Sequence, residues 1–192
     1  MTPREREEYR SLRATIRERG TARIWLFATG FSVWAGLTLA TAAVTATPLA
    51  VLLPLLVLAA TFEAVFALHV GVERVGRYLQ VFYDDQWEHV AMQFGRPSGA
   101  VRIDALFLAP FLTAVVVNLA PLLVARPVPV EWIFVAGPHA LVVLRLVTAR
   151  AGAARQRAID LERFKQLKVA GISRTSRLNA EAAKDAKKTE FP

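Results

Sequence analysis

The sequence predicts an all-α polytopic membrane protein: four transmembrane helices, a long cytoplasmic extension of the second, and a basic C-terminal helix. Three observations carry that prediction. Four apolar blocks, each near the length of a span, divide the 192-residue chain. An α-helix needs about 20 apolar residues to cross the ~30 Å hydrocarbon core of a bilayer. The chain is 54% hydrophobic, above the roughly 45–50% of globular domains, and its charges lie almost entirely between and outside the blocks. The cations are also one-sided: seven Lys and Arg fall in residues 1–23, four in 71–104 and eleven from Arg150 onward, whereas the two opposite links hold only Arg126. Short cytoplasmic loops carry that excess. A multi-pass protein of the cell membrane with both termini cytoplasmic is therefore expected. The abundance of Ala, Val, Leu and Arg suggests a bacterial inner membrane.

Residues 1–23 form a charged N-terminal segment compatible with an exposed helix. The first span is Ile24 to Ala46, 23 residues with Trp25 at its start. That is too long for the apolar region of a secretory signal, and an indole suits the membrane interface. The link "TATP" is so short that the second span must return as a tight antiparallel hairpin. Pro48 suits the first turn of that helix, which runs from Leu49 to about Val70. The third span is Ala105 to Ala125, with Asp104 placed to cap it. The fourth runs from about Val130 to Thr148, after the short link "RPVPVE". Pro110, Pro121 and Pro138 fall inside spans, where each should kink the helix or free a carbonyl.

Between the second and third spans lies "VERVGRYLQVFYDDQWEHV". At 100° per residue, Leu68, Val72, Val75, Leu79 and Phe82 share one stripe, and Glu73, Arg77, Gln80 and Asp84 share another. The phase is unbroken across the membrane boundary, so the second helix is expected to continue to about Phe94 as an amphipathic helix over residues 71–95. A bend near Gly71 or Gly76 would instead lay it on the membrane surface. "FGRPSG" then makes a loop. Residues 24–149 thus form the transmembrane domain, 150–170 a basic juxtamembrane helix and 171–192 a disordered tail.

The polar side chains within the spans that could carry chemistry are Glu63, Arg145, Asn118 and His139. Glu63 is about 15 residues, or about 22 Å, from the outer end of its helix, and Arg145 is equally deep in the fourth. A lone charge in hydrocarbon is costly, so an ion pair between them is expected. His139 should meet a proline-freed carbonyl or Asn118. His69 lies about 18 Å deeper along the normal than His139, so one haem cannot take both as ligands.

The remaining chemistry is sparse. Without cysteine there is no disulfide, thiolate metal site, iron–sulfur cluster or cysteine nucleophile. Asp85 and His89 have a spacing that can share a metal, but no second helix supplies the rest. No P-loop, G-x-S-x-G or H-E-x-x-H occurs. No catalytic residue, metal or cofactor is expected, and an enzyme is not the favoured class. The expected function is an accessory, scaffold or interaction subunit. The alternative is a small oligomeric ion or proton-coupled channel or transporter using Glu63, Arg145 and His139. The expected partners are the bilayer, anionic lipid headgroups at the basic tail, and either further copies of the chain or another membrane protein. Nucleic acid is not expected.

Overall fold

A computed structural model describes residues 1–44, 47–94, 104–125 and 127–189. Every regular element among them is helical. Helix α1 spans Pro3–Val44; a 3-10 turn at Pro48–Val51 leads into α2, Leu52–Phe82. Then follow α3 (Gln86–Phe94), α4 (Asp104–Val117), α5 (Leu122–Ala125) and α6 (Pro129–Thr189). Three helices are long and apolar enough to cross a membrane: Pro3–Val44, the Pro48–Phe82 stretch and Pro129–Gly171.

Each long helix runs past its apolar block. The charged N-terminal segment is continuous with the first apolar block in one 42-residue helix, about 63 Å long. It starts on a capping box. The Glu5 amide donates to Thr2 Oγ1 at 3.2 Å, and the Thr2 amide donates back to Glu5 Oε2 at 2.6 Å. This reciprocal bonding satisfies two donors that a helix start leaves open. Helix α6 starts on Pro129, where the Val128 amide donates to Glu131 Oε2 at 2.9 Å. It passes Pro138 unbroken and carries the apolar block into the basic segment as one helix. It also continues to Thr189, past Gly171, where the composition predicts a disordered tail. The repeated Ala, Glu and Lys after Leu178 are strong helix formers. Residues 190–192 lie outside the described set.

Helix α2 is central, packing against α1, α3, α4 and α6. Its amphipathic extension leaves the apolar block without a bend at Gly71 or Gly76, but it stops at Phe82 rather than Phe94. Asp84 adopts a left-handed conformation, φ 49°, which aspartate tolerates better than most residues. The chain then turns, and α3 folds back on α2. Asp85 Oδ1 accepts from the Trp87 amide at 3.0 Å and so caps α3. Periodicity extends the helix too far because it does not register an aspartate pair suited to a turn followed by a cap.

The third apolar block also differs from expectation. Instead of one helix over Ala105–Ala125, it forms α4, a turn at 118–121 and the short α5. Pro121 lacks an amide hydrogen. The Leu119 and Ala120 amides turn to the carbonyls of Val116 and Val117, three residues back. The tightened turn thus ends α4 after 14 residues, about 21 Å. Asp104 opens α4, but its capping role lies outside the described residues, as do the loop with Gly95, Pro97 and Gly99, and Arg126.

The apolar core is aromatic. Phe111 of α4 is fully buried, with its ring edge-on to Phe31 at 5.1 Å, Phe62 at 5.2 Å and Phe27 at 5.7 Å. Such tilted pairs suit the ring quadrupole. Where α1 crosses α2, Gly30 faces Thr61: a Cβ on Gly30 would lie 2.2 Å from Thr61 Oγ1. Only a hydrogen fits there, so glycine sets the distance between the two helices.

Candidate functional site

The polar side chains of the apolar region fall into two groups. The first surrounds Asn118, at the turn that ends α4 and wholly inaccessible. Its Nδ2 donates to the Val51 carbonyl at 2.9 Å and to His139 Nε2 at 3.1 Å. Its Oδ1 accepts from Trp34 Nε1 at 3.1 Å. Thr38 Oγ1 is 3.4 Å from the same oxygen, but its single proton is better placed on the Trp34 carbonyl at 2.8 Å. His139 Nδ1 lies 2.8 Å from the Val135 carbonyl. These partners fix one tautomer, with the proton on Nδ1 and Nε2 as acceptor. One amide therefore joins α1, the start of the second apolar helix, α4 and α6. The Val51 carbonyl sits where a 3-10 turn passes into α2, and Asn118 is a further donor to it.

The second group is Glu63 with Arg145. Arg145 Nε donates to Glu63 Oε1 at 2.6 Å and Nη2 to Oε2 at 2.8 Å, a two-point fork. The guanidinium also lies over the Phe66 ring, 5.7 Å from its centroid. Both side chains remain 48% exposed, so the pair lies on the outer surface of the apolar bundle. Glu63 and Arg145 are thus brought together, as are Asn118 and His139, while the two groups remain separate.

The charged ends of the long helices form a third group. Arg77 is 1% exposed. Its Nη2 donates to Asp160 Oδ2 at 3.1 Å, and Arg74 Nε reaches the same oxygen at 3.2 Å. Gln156 Nε2 donates to Asp160 Oδ1 at 2.8 Å. Glu73 bridges the two helices, 3.3 Å from Arg157 of α6 and 3.7 Å from Arg77. Lys168 of α6 donates to the Val81 carbonyl, where the end of α2 leaves carbonyls open. Phe164 packs edge-on against Tyr78. Helix α6 therefore continues along α2 well beyond its apolar block.

On the other side of α2, Arg13 of α1 forks between α3 carboxylates. Its Nη1 donates to Glu88 at 2.8 Å and its Nη2 to Asp85. Tyr9 OH donates to Asp85 Oδ2 at 2.8 Å. Burial would raise the Asp85 carboxyl, but the Tyr9 hydroxyl and the Arg13 guanidinium outweigh it and hold it below its ordinary value. Arg23 Nη1 donates to His69 Nδ1 at 2.9 Å, and Tyr78 OH to Glu8 at 2.9 Å.

Of the predicted polar face, Glu73 and Arg77 enter the α2–α6 contact. Gln80 donates to His89 Nδ1 at 3.2 Å and so ties α3 to α2. Asp84 forms no part of that face: it is exposed at the turn, where its Oδ1 lies 3.1 Å from His89 Nε2. Asp85 and His89 do not act as a pair, because Asp85 caps α3 and faces Arg13. Among the described residues, no group of three His, Cys, Asp or Glu side chains could hold a metal ion.

Sequence reasoning missed Asp160 and Arg13, and read Asp85 for a metal spacing rather than, with Glu88, as a partner of Arg13. For Asp160 a signal existed. Leu146, Ala149, Ala153 and Asp160 are all buried on α6, at steps that keep one helix face, so the acid continues the buried face into the basic segment. The partners of Arg13 depend on the turn at Asp84, which no periodicity reveals. No known protein family matches the chain, and no curated protein or solved structure is similar to it.

Proposed function

We propose that the chain is a four-span membrane protein of accessory or scaffold type. Its α1, α2, α3 and α6 build a cytoplasmic platform for a partner. One observation carries this reading: three membrane-length helices continue past their apolar blocks and are cross-linked there by buried charge, with Arg77 and Asp160 at the centre. Such a platform transmits position from the bilayer to whatever docks on it. The third span in this reading is α4, its turn and α5 taken together. Irregular backbone is tolerated at membrane depth where protein satisfies it, and the hydrogen bonds of the turn do so. The cation asymmetry supports cytoplasmic termini.

The platform presents apolar side chains outward. Trp87 on α3 is 67% exposed, and Ile159 and Leu167 on α6 are also exposed. Asp160, Phe164 and Lys168 turn toward α2, which keeps the middle of the basic helix off the bilayer. Anionic headgroups then meet the start of the basic helix, near Arg155.

The channel alternative finds less support. Asn118 and His139 are spent on joining helices, and Glu63 on Arg145. Reporter fusions at Thr2 and after Pro192 should be active only in the cytosolic sense. Purification in mild detergent should recover a partner that Trp87→Ala with Leu167→Asp releases. Proteoliposomes should show no proton or cation flux. Flux abolished by Glu63→Gln, in a variant that stays folded, would overturn the scaffold reading in favour of the channel.

A further inference from the structure

We infer that the outward face of α2 and α6 carrying Glu63 and Arg145 is the contact surface for a second copy of this chain. The copies would be related by a two-fold axis along the membrane normal.

The reasoning begins with exposure. Both charged side chains are 48% exposed within blocks that are otherwise apolar. Hydrocarbon offers neither group a hydrogen bond, so an ion pair facing lipid is far less stable than one facing polar groups. Something of complementary charge should cover it.

The geometry selects the chain itself as that cover. Helices α2 and α6 run in the same direction. Glu63 lies 15 residues past Pro48 and Arg145 16 past Pro129. The vector from carboxylate to guanidinium therefore lies nearly in the membrane plane. A two-fold axis along the normal keeps depth and reverses every in-plane vector. Glu63 would then face Arg145 of the second copy, and Arg145 would face its Glu63, closing a ring of four alternating charges.

The surface also has room for a neighbour. Leu53, Leu56, Ala60, Glu63 and Ala67 are the exposed positions in the apolar part of α2, spaced three and four apart on a single stripe. The alanines stand one turn to each side of Glu63, and small residues let a facing helix come close. This surface is separate from the cytoplasmic platform, so its test does not depend on that reading.

The chain contains no cysteine, so single cysteines report contact without background. Ala60→Cys and Ala67→Cys would each be reconstituted in phosphatidylcholine vesicles at low protein density and oxidised with copper phenanthroline. Leu39→Cys on α1, a residue 71% exposed, is the control. We expect a disulfide-linked band of twice the chain mass from Ala60→Cys or Ala67→Cys, at least tenfold stronger than from Leu39→Cys. The same cysteine with Glu63→Gln and Arg145→Met should lose most of that band while its helical circular dichroism is unchanged. No double-mass band from a thiol that still reacts with maleimide would overturn the inference. So would equal bands from Leu39→Cys, or a band indifferent to the loss of both charges.

Discussion

The side-chain amide of Asn118 donates to the main-chain carbonyl of Val51 at 2.9 Å, joining the broken end of α4 to the 3-10 start of the second apolar helix. The same amide meets His139 and Trp34, so a single residue registers four helices against one another. Asn118→Leu would leave Trp34 Nε1 and His139 Nε2 without their partner and remove the side-chain bond to the Val51 carbonyl. Unsatisfied buried groups cost about 1–3 kcal/mol in soluble proteins and less in membranes. A loss of about 2 kcal/mol is expected, read as a fall in the melting temperature of the detergent-solubilised protein. Unchanged melting would show that the four contacts carry no net stability.

Glu63→Gln alone deprives Arg145 of its two-point partner and should cost about 2 kcal/mol. Adding Arg145→Met removes the orphaned cation and should recover part of that loss. A double-mutant cycle with no coupling would mean that the fork does not hold the helices together.

Asp160→Ala leaves Arg77 buried without its hydrogen-bonded counter-charge. Breaking such a pair costs about 3–5 kcal/mol; Glu73, 3.7 Å away, offsets some of it, so about 3 kcal/mol is expected. Arg77→Met in the same chain should restore melting toward the native value. The check is hydrogen exchange along residues 153–168, which should accelerate in the single variant and slow again in the double.

Acid should release α3 from α1. The Asp85 carboxyl is held below its ordinary value, so its contribution is complete above the unfolded carboxylate value of about 3.9. That contribution is lost as pH falls through the lower folded value. Hydrogen exchange over residues 86–94 should therefore be flat from neutral pH down to about 4 and accelerate below it, beyond the intrinsic pH dependence. Asp85→Asn should already exchange fast at neutral pH and show no further acid step.

Gly30→Ala would place a Cβ 2.2 Å from Thr61 Oγ1, forcing α1 and α2 apart. Overpacking of this kind costs about 1–3 kcal/mol. Thr61→Ala in the same chain should recover part of the loss. A Gly30→Ala protein that melts like the native one would mean that α1 is not packed tightly on α2.

The sequence alone determined the helical class, the apolar blocks and the pairing of Glu63 with Arg145, because each follows from quantities local along the chain. Block length reports span length, and equal distance from a helix start reports equal depth. The stripe from Leu68 to Phe82 was legible for the same reason: a periodicity of 3.6 holds wherever the helix does. Tertiary structure alone decided where helices stop and what their polar faces meet. The break at Asp84 turns on one residue in a left-handed conformation, and the interruption after Asn118 on the missing amide hydrogen of Pro121; what each end then meets is distant chain. Arg13 binds the carboxylates that cap and open α3, and Val51 offers a carbonyl to which Asn118 donates. Asp160 reads in sequence as one acid among cations. It becomes a buried anchor only because α6 runs on along α2 and delivers it to Arg77. Hydrogen bonds and ion pairs between residues more than 60 apart leave no periodic trace, since they depend on how helices are set against one another and not on where side chains point along any one of them.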